Sequence, residues 1–448
     1  MRWKYIVGGV AVLLAVVGGI WFFFPKGKSK DPLVRVVEMQ AGLADARHLA
    51  LEHPIPAEFQ RTSEFRQFVR RNVNGDKAKH RAVALTELGL LPAATDLGRA
   101  IEDAQVSQAA AYYDPSAKKF FIVMVPKSEQ LLDQLAAHEL THGLQDQHFD
   151  LKAYLGQPGL DSDASAARRF VVEGDAMFTS IVYLVFEQTH LHTLSDKQLE
   201  ALHAYLDKLA SADITSMAAT LKQQAKVNET MDPEIQRAFD AMDKIPPTIL
   251  VPLLEAYMQG AVVALAGYRY GGWTAVDALY HDPPTSTEQV LHPDRLFGTR
   301  DLPHHVTLPT LDGYEVVDSD VLGELQWSVY FSLWKHGANA HPEHDWGGDR
   351  YSVLRDKGGK LLTLIATTWD TREAAMAFYD AYLSTLKTRF PDGEPGKSGT
   401  ADRLSAIWVR RSANRVFIVD GATRDTLDKL AAETTFDLPV ATSRPAAH

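Results

Sequence analysis

Two histidines four residues apart, with a glutamate directly after the first, constrain this chain more than any other feature: His138-Glu139-Leu140-Thr141-His142. Residues i and i+4 share one face of an α-helix. The spacing therefore predicts a helix that aims two imidazole nitrogens at one point, with Glu139 alongside, an arrangement suited to a divalent metal and a neighbouring base. The chain has no cysteine, so any metal must be held by His, Asp or Glu. The plainer alternative is a surface helix carrying two unrelated histidines. Against it, Leu132, Leu135, His138, Glu139 and His142 fall on one side, which is apolar enough for a buried site.

A catalytic zinc normally takes three protein ligands and keeps one position open. One candidate for the third is His148, six residues after His142, but Gln145 stands where a glycine would let the chain swing back to the metal. The better candidate is Glu173, 31 positions after His142, in Val171-Val172-Glu173-Gly174-Asp175-Ala176. A carboxylate inside an apolar helical run is costly to bury unless it is paired or binds a metal; its alternative is a surface Glu near Arg168 or Arg169. Asp146 and Asp175 are candidate hydrogen-bond acceptors for the ligand imidazoles.

The run His138 to His142, with Asp146 four positions on and the later Glu173, resembles the gluzincin peptidases, whose thermolysin-like members carry HELTHxxxD and a Glu ligand from a following helix. In thermolysin-like enzymes Asn precedes that Glu and Asp follows four later, whereas here these are Val172 and Met177. The longer runs HELTHGLQDQHFDL (138–151), VEGDA (172–176) and PPTSTEQVLHP (283–293) resemble a little-characterised bacterial group with zinc-peptidase motifs, over residues 88–297. The resemblance implies a gluzincin-like domain without fixing a substrate. The reading adopted is a zinc peptidase, with Zn2+ on His138, His142 and Glu173, Glu139 as general base, and a peptide or protein substrate. Two rivals stay open: a zinc hydrolase of another amide, and a catalytically silent protein in which zinc braces the fold.

An oxyanion needs further donors. His292 in the proline-framed 283–293 segment and Tyr268 are the candidates, with Arg295 beside them. A second histidine group, His336, His341 and His344, reads as a solvated loop rather than a metal site.

The organisation around this centre is read from pattern. Residues 5–24 are uncharged and apolar, long enough for a bilayer core. Arg2 and Lys4 precede them and Lys26, Lys28 and Lys30 follow. The run exceeds a signal peptide's apolar region and ends in Trp21-Phe22-Phe23-Phe24-Pro25 without a small-residue cleavage site. Residues 1–30 therefore read as a single-pass membrane anchor, with the remainder placed outside the cytoplasm. The net charge of −11 and the absence of a basic face exclude a nucleic-acid partner.

Helical scaffold is expected over 32–97 with a turn at 72–76, then a hairpin over 109–125. Helices follow from Ser128 to about residue 148, and over 164–186, 196–226 and 232–241. The apolar stretch 248–268 is interrupted by Pro252, Glu255, Gln259 and Gly260, which favours a buried core helix over a second membrane span. The expected class is α+β, in three parts after the anchor: a mostly helical zincin-like domain with a small sheet (31–305), a linker (306–320) and a small α+β domain (321–448). The last holds a strand near 360–368, a helix over 372–386 and a hairpin over 407–419.

Overall fold

The computed structural model describes residues 31–73, 75–108, 110–125, 129–210, 244–334, 341–390 and 406–437. The expected anchor, the N-cap at Ser128, the later part of the helix expected over 196–226, the whole of 232–241 and His336 all lie outside them.

The mixed α+β architecture begins with α1 (Pro32–Arg47), strand β1 (Ala57–Phe59), α2 (Thr62–Asn72), α3 (Gly75–Glu87) and α4 (Leu97–Gln108). The hairpin β2 (Ala111–Asp114) and β3 (Lys119–Ile122) precedes α5 (Glu129–Phe149) and the short α6 (Leu151–Gly156). β1 adds to β3 in parallel, so the sheet order is β1-β3-β2 and β2 forms one edge. Next come α7 (Ser162–Thr189), α8 (Asp196–Ala210) and the 35-residue α9 (Pro247–His281). Asp161 caps α7 by accepting from the Ala164 N–H at 2.8 Å.

Among the described residues α9 alone is long and apolar enough to cross a membrane, but 72% of its most apolar window is buried inside the protein. It is the core helix that its interrupting polar residues predict. Gly271 and Gly272 break its regular geometry, and Gly272 at φ 65° sits where a side chain would be strained.

Two short helices, α10 (Thr287–Leu291) and α11 (Asp294–Phe297), lead to β4 (His305–Thr307) and β5 (Tyr314–Asp320). The rest comprises α12 (Gly323–Leu333), β6 (Trp346–Asp356), β7 (Leu361–Trp369), α13 (Arg372–Arg389), β8 (Ile407–Ser412), β9 (Arg415–Asp420), α14 (Arg424–Glu433) and β10 (Thr435–Asp437). An antiparallel sheet runs β5-β6-β7-β9-β8, and β10 pairs with β4. The stretch expected as a linker is thus structured: β5 is the sheet's edge strand, held to β6 from Tyr314↔Asp356 to Asp320↔Tyr351.

One apolar cluster runs from α1, α5, α7 and α9 into α12, β6, β7 and α13, and a smaller one lies under α14. The C-terminal sheet therefore shares its core with the helices. Trp327, Trp369, Phe378 and Tyr382 knit α12, β7 and α13 together, with Trp327 edge-on to Phe378 at 4.8 Å between centroids.

The pairing that positions the candidate site is α7 against α9, the most extensive helix contact in the described structure. Gly174 faces Gly260 there: a Cβ added at Gly174 would lie 2.1 Å from the Gly260 carbonyl, far inside any real contact. Glycine at both positions lets the two backbones touch. Gly143 does the same for α5, where a Cβ would meet Ile55 at 2.5 Å, and Gln40 holds the Ile55 segment in place by bonds to its N–H and carbonyl.

Candidate metal centre

α5 presents His138 and His142 from successive turns, and α7 brings Glu173 from the facing helix. Glu173 Oε2 lies 3.2 Å from His138 Nε2 and 3.2 Å from His142 Nε2, and the two nitrogens are 3.1 Å apart. The rings stand at 88° to one another. All four key side chains are buried: His138 and Glu173 are 1% exposed, Glu139 and His142 0%.

His142 has its tautomer set by its neighbours. The Gln145 amide nitrogen donates to Val172 O at 3.1 Å and to Asp175 Oδ2 at 3.0 Å, both acceptors only, so Gln145 Oε1 is the atom that faces His142 Nδ1 at 2.8 Å. An oxygen there requires the proton on Nδ1, which leaves the Nε2 lone pair directed at Glu173 and His138. Asp175 is itself held by Arg47, by the Tyr280 hydroxyl at 2.8 Å and by Thr179. A buried chain from Arg47 through Asp175 and Gln145 thus orients a ligand ring.

Three lone-pair-bearing atoms converge on one point, an arrangement that only a proton or a cation stabilises. Bonds of about 2.0–2.1 Å to a tetrahedral zinc would separate its ligand atoms by about 3.3–3.4 Å. The observed 3.1–3.2 Å separations are within a few tenths of that, and a His2Glu donor set is one that zinc uses. Burial pushes His138 down to about 4, so its ring is neutral and free to ligate at neutral pH. Burial alone would raise the Glu173 carboxyl, but the facing rings of His142 and His138 hold it below the usual carboxylate range.

Glu139, one residue along α5, is fixed from the sheet: the Tyr113 N–H on β2 donates to its Oε2 at 2.9 Å. Tyr257 of α9 covers the other side. Its ring stacks on His138 with centroids 5.4 Å apart, and its hydroxyl lies close enough to Glu173 and Glu139 to feel their charge. Burial first, then the charges of Glu173 and Glu139, keep this phenol protonated well beyond its ordinary range. Arg169, one turn before Glu173, sits 3.8 Å from Glu173 Oε1.

His148, already the weaker candidate, is not a ligand and turns away to bond Ala50 O at 2.8 Å. Other sequence expectations are corrected here. Asp146 accepts from the Tyr113 hydroxyl, Lys118 and the Leu151 N–H, so it ties the hairpin and α6 to α5 rather than touching an imidazole. Asp175 acts through Gln145. Tyr268 packs in an aromatic group with Phe178 and Trp273, and His292 is bound to Glu324 at 2.8 Å. His292 belongs instead to a separate group with Glu324 and His344. Arg295 is taken up by Glu288, Asp345 and Asp370. The residues that sequence reasoning missed are Gln145, discounted as a broken glycine position, and Tyr257, hidden in an apolar run. Its place one turn from Gly260 was the available signal.

Comparison with known proteins reaches only the C-terminal part. A family described as a domain of unknown function (DUF8575) matches residues 311–431. The match starts inside the stretch expected as a linker and ends in α14. No curated protein and no solved structure matches the chain.

Proposed function

We propose that the chain is a zinc-dependent hydrolase of peptide bonds, with His138, His142 and Glu173 holding the metal and Glu139 as general base. The observation that carries this reading is the number of ligands brought together. Among the described residues three come together, rather than the four of structural zinc sites, so a bound zinc would keep one coordination position open, and an acidic residue stands next to them. When bound, the metal supplies Lewis acidity that polarises a water and a scissile carbonyl.

The chain's own groups supply the rest. The Tyr113 N–H holds the Glu139 carboxylate at Oε2, so Glu139 is set to accept a proton from the attacking water and return it to the leaving amine. The Tyr257 hydroxyl, kept protonated by its surroundings, is a donor available to a developing oxyanion, the role expected of Tyr268 and His292. β2 is a sheet edge beside Glu139, suited to aligning an extended peptide. Arg169 lines a cleft with Leu155, Thr248, Pro252 and Leu253, one turn from Glu173 and Tyr257, where a substrate side chain can sit.

The depth of the group favours one rival, a zinc that only braces the fold. The two separate on Glu139→Gln, tested on a peptide mixture read by mass spectrometry. The hydrolase reading expects cleavage by the zinc-loaded protein to fall by at least about 100-fold with zinc retained; cleavage unaffected by this change, or none in the parent protein, supports the brace.

A further inference from the structure

We propose a second divalent-cation site, independent of the first, formed by His292, Glu324 and His344 where the helical part meets the C-terminal sheet. His292 follows α10, Glu324 lies in the first turn of α12 and His344 precedes β6. Residues far apart in sequence thus meet on one carboxylate. Glu324 is buried, and its Oε1 and Oε2 lie 2.8 Å and 3.1 Å from His292 Nε2. His344 Nε2 approaches Oε1 to 3.8 Å, with its ring at 90° to that of His292 and centroids 5.2 Å apart. Ligand atoms from the three residues all fall within 4.8 Å of one another.

The charge balance distinguishes this place from its surroundings. A neighbouring acidic group, Glu288, Asp301 and Asp370, already encloses a permanent cation, the Arg295 guanidinium. That group needs no metal. Glu324 lies outside direct reach of that guanidinium, which acts on it only at longer range: among the described residues its ion pairs are with His292 and His344. Imidazoles neutralise a carboxylate only while protonated, whereas a divalent cation does so when they are neutral and their lone pairs are free. His344, with 49% of its side chain exposed, has room to close the 3.8 Å gap to Glu324 that coordination would shorten. His341 stacks on it at 4.6 Å and bonds the buried Glu343, so the loop arrives with its imidazole in place.

Two nitrogens and one carboxylate select zinc, or the neighbouring nickel and copper ions, over magnesium and calcium. A metal here would clamp the segment between α10 and α11 to α12 and the start of β6. It would also give the PPTSTEQVLHP histidine a function outside the first site.

The test is zinc content of the full chain after saturation with Zn2+ and gel filtration, with circular dichroism to confirm folding. The proposal expects two zinc ions per chain, one in His344→Ala and one in His138→Ala, and cobalt loading should give two separable sets of visible bands. Glu324→Gln, which keeps the shape of the side chain, should also hold one zinc. One zinc in the parent, kept in His344→Ala and Glu324→Gln but lost in His138→Ala, would overturn the second site and leave the first intact. One zinc lost in His344→Ala but kept in His138→Ala would support the second site and overturn the first. Two zinc ions that all three variants retain would mean adventitious binding and overturn the proposal.

Discussion

Replacing Gly174 by alanine tests how the centre is assembled, because the change adds one carbon where two helices touch. That Cβ would stand 2.1 Å from the Gly260 carbonyl carbon and oxygen and 2.5 Å from its Cα. This is roughly 1.3 Å inside ordinary van der Waals contact, and backbone cannot rotate aside as a side chain can. α9 must therefore retreat from α7 by about 1 Å. Overpacking of this kind costs about 1–3 kcal/mol, against about 1 kcal/mol gained from alanine's better helix propensity. A net loss of up to about 2 kcal/mol is expected, a fall in melting temperature of at most a few degrees. The sharper effect is local. Glu173 is the residue before Gly174, and Tyr257 is one turn before Gly260, so the same shift separates the carboxylate from the phenol. Groups that orient a ligand from outside the coordination sphere are worth about 10-fold in affinity or more, so zinc affinity, measured by competition with a chelating dye, should fall by about 10-fold. A variant as stable as the parent with unchanged zinc affinity would refute the claim that this glycine contact sets the site.

Two further outcomes follow from the buried network. Gln145→Leu removes the acceptor that fixes the proton on His142 Nδ1, so zinc affinity should drop about 10- to 100-fold while the chain remains folded; an unchanged affinity in the same dye competition would show that Gln145 does not orient the ring. In the metal-free protein, burial holds His138 at about 4 in the fold, below the 6.5 of an unfolded chain. The unfolded state therefore binds more protons between these values, and this group's contribution falls as pH drops from about 6.5 to 4, by on the order of 3 kcal/mol. Thermal melts at pH 7 and pH 5 without metal should show the lower stability at pH 5, and zinc should widen the gap because protons compete for the ligand.

The sequence was legible where one physical requirement dominated. The His138 to His142 spacing demands a helix, and burial of Glu173 in an apolar run demands a partner. The same logic reads α9 as core, because Glu255 and Gln259 interrupt an otherwise membrane-like stretch. It failed where satisfaction comes from afar. β6 carries Gly347, Gly348 and Asp349, which argue against a strand in isolation. In the fold Asp349 accepts from the Leu322 and Gly323 N–H groups and from the Trp327 and Trp346 indoles, so a buried charge in a strand is satisfied by four donors, three of them over 20 positions away. The role of Gln145 went unseen for a related reason: it depends on Val172 and Asp175 across the helix interface, not on its neighbours in sequence. His292 drew attention correctly as a placed histidine, but its partner is Glu324 of the C-terminal part, which no local pattern announces.

The central claim is that two imidazoles of α5 and one carboxylate of α7 share a single cation. The most direct measurement is zinc content in a His344→Ala background, which removes the proposed second site, comparing Glu173→Ala with His148→Ala. The account predicts about one zinc per chain in the His148 variant and close to none in the Glu173 variant. Zinc kept without Glu173, or lost without His148, would contradict it.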